Sequence, residues 1–303
     1  MCGGAHGVPR FRLPTQGTDG GVDPSAFRPS SEQFGRTTGT VVRCLRCGHG
    51  SLAQLPSRDT VAAAYEAAAD PVSIREEPGQ METARRALQL VEQALTPGRM
   101  VDVGCWTGSF VAAAAERGWS AEGIEPSTWA LARGRERGLD VRRGSLAEHG
   151  LPARAFRLVV LCDVLEHLEE PAAALDAVGE LLEPGGGVFL TVPDAGSVMA
   201  RLLGRRWWSV LPMHLQYFTR TSVAQLLDAH GFQVRSVRTH AKTFSLRYYL
   251  ERLEGYSTTA AGAAVRAAER AGWAERLVTP NLRDRLAVFA TRGGRLARGG
   301  QAV

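Results

Sequence analysis

From Arg99 onward the apolar positions fall in short runs of strand length, each followed by a stretch with helical spacing. Val101, Val103 and Cys105 alternate along the chain, Gly104 and Gly108 punctuate the run, and FVAAAAERG follows at once. That pattern predicts a buried strand, a tight glycine turn and a helix N-terminus, a place where backbone approaches a ligand closely. Further strands are predicted at Ser120–Ile124, Asp140–Arg142, Arg157–Cys162, Val188–Val192, Phe232–Thr239 and Arg285–Thr291. Helices fall between them: Ser127–Arg137, a stretch with Leu175, Val178, Leu181 and Leu182 stopping at Pro184–Gly187, and another ending at His230-Gly231. Alternation of this kind predicts an α/β fold with a doubly wound, mostly parallel seven-stranded sheet covered on both faces.

The flanks read differently. Residues 60–95 predict two helices, broken around Asp70-Pro71 and again near Pro78-Gly79, with Ala84, Ala87, Leu88, Val91 and Leu95 on one face that packs on the sheet. Tyr65 on the first of these is either an ordinary core aromatic or a lid. Residues 1 to 40 lack periodicity and are rich in Gly, Pro, Ser and Thr, so most of that segment is expected to be irregular. Two amphipathic helices over residues 245–278 interrupt the chain before the last strand, long enough to cap a pocket or make a homodimer contact. The expected division is an N-terminal segment 1–58, a helical lid 59–98, a main domain 99–293 with its insertion at 245–280, and a frayed tail 294–303.

Composition narrows the partners. Hydrophobic residues make up 44% of the 303 positions and charged residues 22%, ordinary for a globular protein, and the net charge is only +5. Of the 36 residues that are Lys or Arg, Lys242 is the only lysine, and no basic block occurs, which argues against nucleic acid as a partner. Neither a leader nor an apolar run of spanning length is present, so a cytoplasmic protein with no membrane partner and with reduced cysteines is expected. Cys105 and Cys162 read as small buried residues.

The glycine turn is informative by what it lacks. A dinucleotide fingerprint would place its second glycine where Trp106 stands, and an acid, Asp102, sits in the strand instead. Asp-x-Gly-x-x-x-Gly resembles motif I of the class I S-adenosylmethionine-dependent methyltransferases. The resemblance implies a Rossmann-like methyltransferase fold and S-adenosyl-L-methionine as cofactor. Asp102 would then face the cofactor's amino-acid end, with Gly104, Trp106 and Gly108 forming the loop beneath it. Glu125, at the end of the second strand, is placed to accept from ribose hydroxyls, and Ser145 and Leu146 would lie against the adenine. FRLVVLCDVLEHLEEP, LLEPGGGVFLTVPDAGS and HLQYFTRTSVAQLLDAHGF together resemble the group containing ubiquinone-pathway O-methyltransferases and many natural-product methyltransferases, over roughly residues 80–240. O-methylation of a hydroxyl on a small-molecule acceptor, a sugar or phenolic intermediate, is the expected activity. The alternatives are C-methylation of a nucleotide-linked deoxysugar and, from another class, a non-catalytic cofactor-binding regulator.

Two further constellations carry chemistry. Cys44-x-x-Cys47 is half of a zinc knuckle, with Cys2, His6 and His49 as the nearby ligands. It resembles the zinc lobe preceding some methyltransferases, which implies a structural zinc on Cys44, Cys47 and Cys2, or a knuckle that merely packs. Asp163, Glu166 and His167 would share one face of a helix starting after the fourth strand, and RRWWSVLPMHLQYFT later supplies His214. This order resembles the metal site of enzymes that 2′-O-methylate small-RNA 3′ ends, implying Mg or another divalent cation on Asp163, Glu166, His167 and His214. Two other readings stay open: His167 or His214 as a metal-free general base, or Glu166 and His167 as helix-capping residues, with Asp163 facing the cofactor. Trp207 and Trp208, beside two arginines, are expected to form a pocket wall.

Overall fold

In the computed structural model, residues 7–11, 30, 33–35 and 39–293 are described. Three short strands come first: β1 (Gly7–Phe11), β2 (Val41–Cys44) and β3 (Gly50–Leu52). Then follow α1 (Arg58–Glu66), α2 (Val72–Arg75) and α3 (Glu77–Val91). The main alternation runs β4 (Arg99–Val103), α4 (Ser109–Glu116), β5 (Ser120–Glu125), α5 (Thr128–Glu136), β6 (Val141–Arg143), β7 (Phe156–Cys162), α6 (Pro171–Leu181) and β8 (Leu182–Pro193). After α7 (Val198–Leu203) come β9 (Gln216–Tyr217), α8 (Arg220–Ala229), β10 (Phe232–Thr239), β11 (Phe244–Ser245) and α9 (Leu246–Glu251). The chain closes with α10 (Thr258–Arg270), β12 (Leu277–Val278) and β13 (Arg285–Arg292).

The central sheet has seven strands in the order β10-β13-β8-β7-β4-β5-β6. The strands from β8 to β6 are mutually parallel, while β13 runs antiparallel to both of its neighbours. Period-two alternation divides the core between the two faces. Val159 and Leu161 pack with Ile124, Leu175 and Leu226, whereas Leu158 and Val160 pack with Leu88, Val91 and Phe110. All four β7 residues are fully buried, as a central parallel strand requires. The predicted α3 face is confirmed: Ala84, Ala87, Leu88 and Val91 are buried on the sheet, with Leu95 against them. No helix among the described residues is long and apolar enough to cross a membrane.

The structure refines several of the expected boundaries. Within the N-terminal segment Gly7–Phe11 forms a strand, pairing antiparallel with β2 in a four-stranded sheet β1-β2-β3-β9. Its Gly- and Pro-rich composition hid a strand whose partner lies some thirty residues further on. The break expected near Pro78-Gly79 is present: α2 ends at Arg75 and α3 starts at Glu77, with Pro78 in its first turn, where its missing N–H costs nothing. Pro184–Gly187 does not end a helix before a strand, because α6 stops at Leu181 and those residues lie inside β8, across a register shift against β7. Finally, no α-helix begins directly at the end of β7. The chain turns at Asp163, whose φ is +56°, into a single 3-10 turn, Leu165–His167.

Candidate functional site

At the carboxyl ends of β4, β5 and β7 lies a cavity of about 1270 Å³, and residues from every one of the predicted donor-site elements line it. Its first wall is the turn after β4. Gly104 (φ +68°) and Gly108 (φ +81°) take left-handed conformations that cost little only for glycine. At Gly104 a Cβ would lie 2.9 Å from Val164, and at Gly108 it would lie 2.5 Å from Leu139. Trp106 (φ +50°) is also left-handed, and its N–H donates to Glu125 Oε2 at 2.8 Å while its indole N–H donates to Ser73 Oγ at 2.8 Å.

Glu125 Oε1 accepts from the Ser127 N–H at 2.8 Å, so both carboxylate oxygens are held by backbone from separate segments. Burial pushes its carboxyl up to about 7, against these two N–H groups, which favour the charged form. Asp102 is 3% exposed, and its Oδ1 has no hydrogen-bond partner. Burial first, then the nearby Glu125, raises its carboxyl well above the ordinary range. An orphaned buried acid facing a cavity is complementary to a cationic amine, and the pair Asp102 and Glu125 fits the amino-acid and ribose ends of S-adenosylmethionine. Gly144, Ser145 and Leu146 line the same end of the cavity.

The second wall is assembled from distant segments. Glu166 is 1% exposed, and neither of its oxygens has a partner. Burial, then repulsion from Asp163, raises it to about 8. His167 Nδ1 lies 3.0 Å from the Met213 carbonyl oxygen and His214 Nδ1 lies 2.7 Å from that of Ser209. A carbonyl can only accept, so both rings carry their proton on Nδ1 and keep Nε2 as the available lone pair. Burial pushes His167 down to about 4, and burial together with His167 drives His214 well below the usual range. The two rings stand edge to face with centroids 4.8 Å apart, and one ligand atom from each of Glu166, His167 and His214 can be chosen such that all lie within 4.8 Å of one another. Two neutral imidazoles with fixed tautomers around an unpartnered carboxylate have the composition of a divalent-cation site.

Asp163 does not belong to that cluster. Burial alone would raise its carboxyl, but Arg285 and Lys242 outweigh it and hold Asp163 well below the ordinary range. Both cations bond it directly, and Thr191 Oγ1 donates to its Oδ1 at 2.9 Å. The expected four-ligand set is therefore a three-ligand set beside an ion-paired triad. Glu166 does not cap an α-helix either, since the Leu165–His167 segment that holds it is a single 3-10 turn with no side-chain cap.

The tryptophan wall is half right. Trp208 lines the cavity, whereas Trp207 is 1% exposed in the core. Both indole N–H groups donate to Asp284 Oδ2, at 3.1 and 2.7 Å. Tyr65 lines the cavity with its ring edge-on to His167, the centroids 5.8 Å apart. From the C-terminal insertion, Tyr248, Tyr249 and Arg252 reach the cavity, none of them singled out by sequence. Lys242 and Arg285 were likewise missed, and only the singularity of that lysine could have pointed to one of them.

Cys44 and Cys47 bracket the tight turn between β2 and β3, closed by the Cys44 N–H on the His49 carbonyl at 2.8 Å. Cys2 and His6 lie outside the described residues. The Nε2 of His49 meets Gln216 Oε1 at 3.0 Å. Among the described residues, no third metal-ligating side chain clusters with the two thiols.

Comparison with known proteins matches residues 47–237 to a family described as a methyltransferase domain. The ubiquinone biosynthesis O-methyltransferase of Burkholderia thailandensis is 28% identical over 173 residues, covering 50% of this chain and 73% of the relative. That of Paraburkholderia xenovorans is 34% identical over 168 residues, 48% of this chain and 72% of the relative. Among solved structures, a chain from the complex of the Haloferax volcanii Trm112 methyltransferase activator with a methyltransferase aligns at 14% identity and a TM-score of 0.53. It covers 80% of this chain and 100% of its own, a likeness of fold.

Proposed function

Since this chain belongs to the methyltransferase domain family and is an S-adenosylmethionine-dependent methyltransferase, we propose that it methylates a hydroxyl of a small molecule with the help of a divalent cation held by Glu166, His167 and His214. The observation that carries the reading is the Glu166 carboxylate, fully buried with both oxygens unpartnered between two imidazoles whose free nitrogens are Nε2. Leaving such a group bare costs about 1–3 kcal/mol or more, which a bound cation would repay. The cofactor supplies an electrophilic methyl on a sulfonium, and a divalent cation when bound lowers the pKa of a neighbouring hydroxyl. Asp102 and Glu125 hold the donor's two polar ends, and Tyr65, Trp208 and Tyr248 shape an aromatic wall that excludes water and suits a phenolic ring.

The two relatives, both named as O-methyltransferases, support an oxygen acceptor; a sugar hydroxyl remains within the proposal. Metal-free base catalysis by His167 or His214 is disfavoured because burial leaves both rings too weakly basic. Carbon methylation draws on the Cys44–Cys47 turn alone, and a structural zinc there with Cys2 as third ligand is part of the proposal. Family membership sets aside the non-catalytic reading.

The test uses purified protein, methyl-labelled cofactor, and catechol and vicinal-diol sugars as acceptor probes, with Mg²⁺, Mn²⁺ or EDTA. Transfer to oxygen that EDTA abolishes and a divalent ion restores is the expected result. Chelator-insensitive transfer, or label recovered on carbon, would overturn it.

A further inference from the structure

Lys242 is the one lysine in a chain that otherwise uses arginine at every strongly basic position, 36 residues in all counting both types. It is not on the outer surface. It lines the cavity with its side chain 31% exposed, and its ammonium bonds Asp163 at the end of β7. The Tyr249 hydroxyl donates to its backbone carbonyl at 2.7 Å and fixes the segment from the α9 side. Arg285, from β13, bonds the same carboxylate, so one anion carries two cations. Arginine does not give up its proton in proteins, whereas a partly buried lysine can. Because Arg285 also bonds Asp163, the carboxylate keeps a cationic partner when Lys242 is neutral, which makes the proton on Lys242 the exchangeable one.

The surroundings favour that loss. Burial, and next Arg285, lower Lys242 from its ordinary value, against the pull of Asp163 and Glu166. The other groups facing it are poor proton acceptors. Burial pushes the Cys162 thiol up and His240 down to about 4. Glu166, His167 and His214 would be committed to the cation. A methylated hydroxyl must nevertheless lose its proton to something within the cavity.

We infer that Lys242 is the proton acceptor for the methyl transfer, with Asp163 and Arg285 as the fixed ion pair that receives the ammonium it becomes. The inference rests on the O-methylation reading of the same cavity. In the step, the acceptor's O–H bond breaks and the proton goes to the neutral Nζ. The oxygen's electron pair forms the new O–C bond as the methyl's bond to sulfur breaks, and that bond's electrons stay on sulfur as a thioether. The Lys242–Asp163 bond seen here is then the state after proton transfer, and the exposed third of the side chain is the route by which the proton leaves.

Being alone, Lys242 can be read directly. Reductive methylation of the whole protein with ¹³C-formaldehyde labels only this side chain and the α-amine, and NMR follows their titration. The lysine signal is expected to titrate at lower pH in the folded protein than in the same protein unfolded in urea; an equal or higher value overturns the inference. Lys242→Arg keeps the charge but removes the exchangeable proton. With catechol as acceptor it is expected to lose about 100-fold or more in kcat and the ascending limb of its pH profile, while cofactor affinity by calorimetry holds within about twofold. Near-native turnover by this variant also overturns it. The two readings fail separately: chelator-insensitive transfer or label on carbon defeats the function proposed above and leaves the lysine titration standing. A lysine titrating as in the unfolded chain does the reverse.

Discussion

The two walls of the cavity are built by different means. The donor wall lies within residues 102–146, and backbone does most of the holding: Glu125 is gripped by the N–H groups of Trp106 and Ser127, and two left-handed glycines set the turn. The acceptor wall draws on residues 163–167, 209–214, 240–242 and 285, remote segments tied through side chains: His167 and His214 on the Met213 and Ser209 carbonyls, Asp163 on Lys242 and Arg285. A locally built wall fails through strain. A wall assembled from remote segments fails through a missing ligand or an unbalanced charge, and leaves the other wall standing.

That separation can be broken or sharpened by experiment. The largest effect is expected from Glu166→Gln and His214→Ala, each lowering label transfer by roughly 1000-fold through loss of the bound cation. Calorimetric affinity for the cofactor should stay within about twofold, and a parallel fall would show the two walls to be one unit. Next is the pH dependence of stability. The folded Glu125 carboxyl titrates at about 7 rather than 4.5, so the native state holds a proton that the unfolded chain has released. Stability therefore falls as pH rises from 4.5 to about 7 and levels off above. The contribution is roughly 3 kcal/mol. Urea unfolding across that range should show a shallower slope in Glu125→Gln, and an identical slope would remove Glu125 as the cause.

Gly104→Ala forces a left-handed alanine and a Cβ 2.9 Å from Val164. It should cost about 1–3 kcal/mol, seen as weaker cofactor binding and a lower Tm with metal content unchanged. The smallest effect belongs to the hairpin: Cys44→Ser should abolish any bound zinc measured by elemental analysis while changing turnover by no more than about twofold.

The same contrast explains what could be read from sequence. Asp102, Gly104, Gly108 and Glu125 were legible because strand alternation and a turn of fixed length place them relative to one another without tertiary information. The seven strands were legible for the same reason, and β1 was not, since its partner is remote and its residues are turn-formers. On the acceptor wall, Glu166, His167 and His214 were found by resemblance, but Asp163 was misassigned. Spacing cannot show that Arg285, more than a hundred residues later, would claim its carboxylate. Trp207 failed likewise: two adjacent indoles look alike in sequence and share one acceptor in Asp284, and only the packing around them buries one in the core and leaves the other at the cavity.

The Gln216 side chain has a wider consequence. Its oxygen meets His49 in the turn between β2 and β3, while its amide donates to the carbonyls of Leu168 at 3.1 Å and Glu169 at 3.3 Å, just past the turn that carries Glu166 and His167. One amide thus splices the front of the chain to the chemical centre. A protease nick at the hairpin, or an affinity tag crowding it, would be felt first as a sluggish enzyme rather than as an unfolded one.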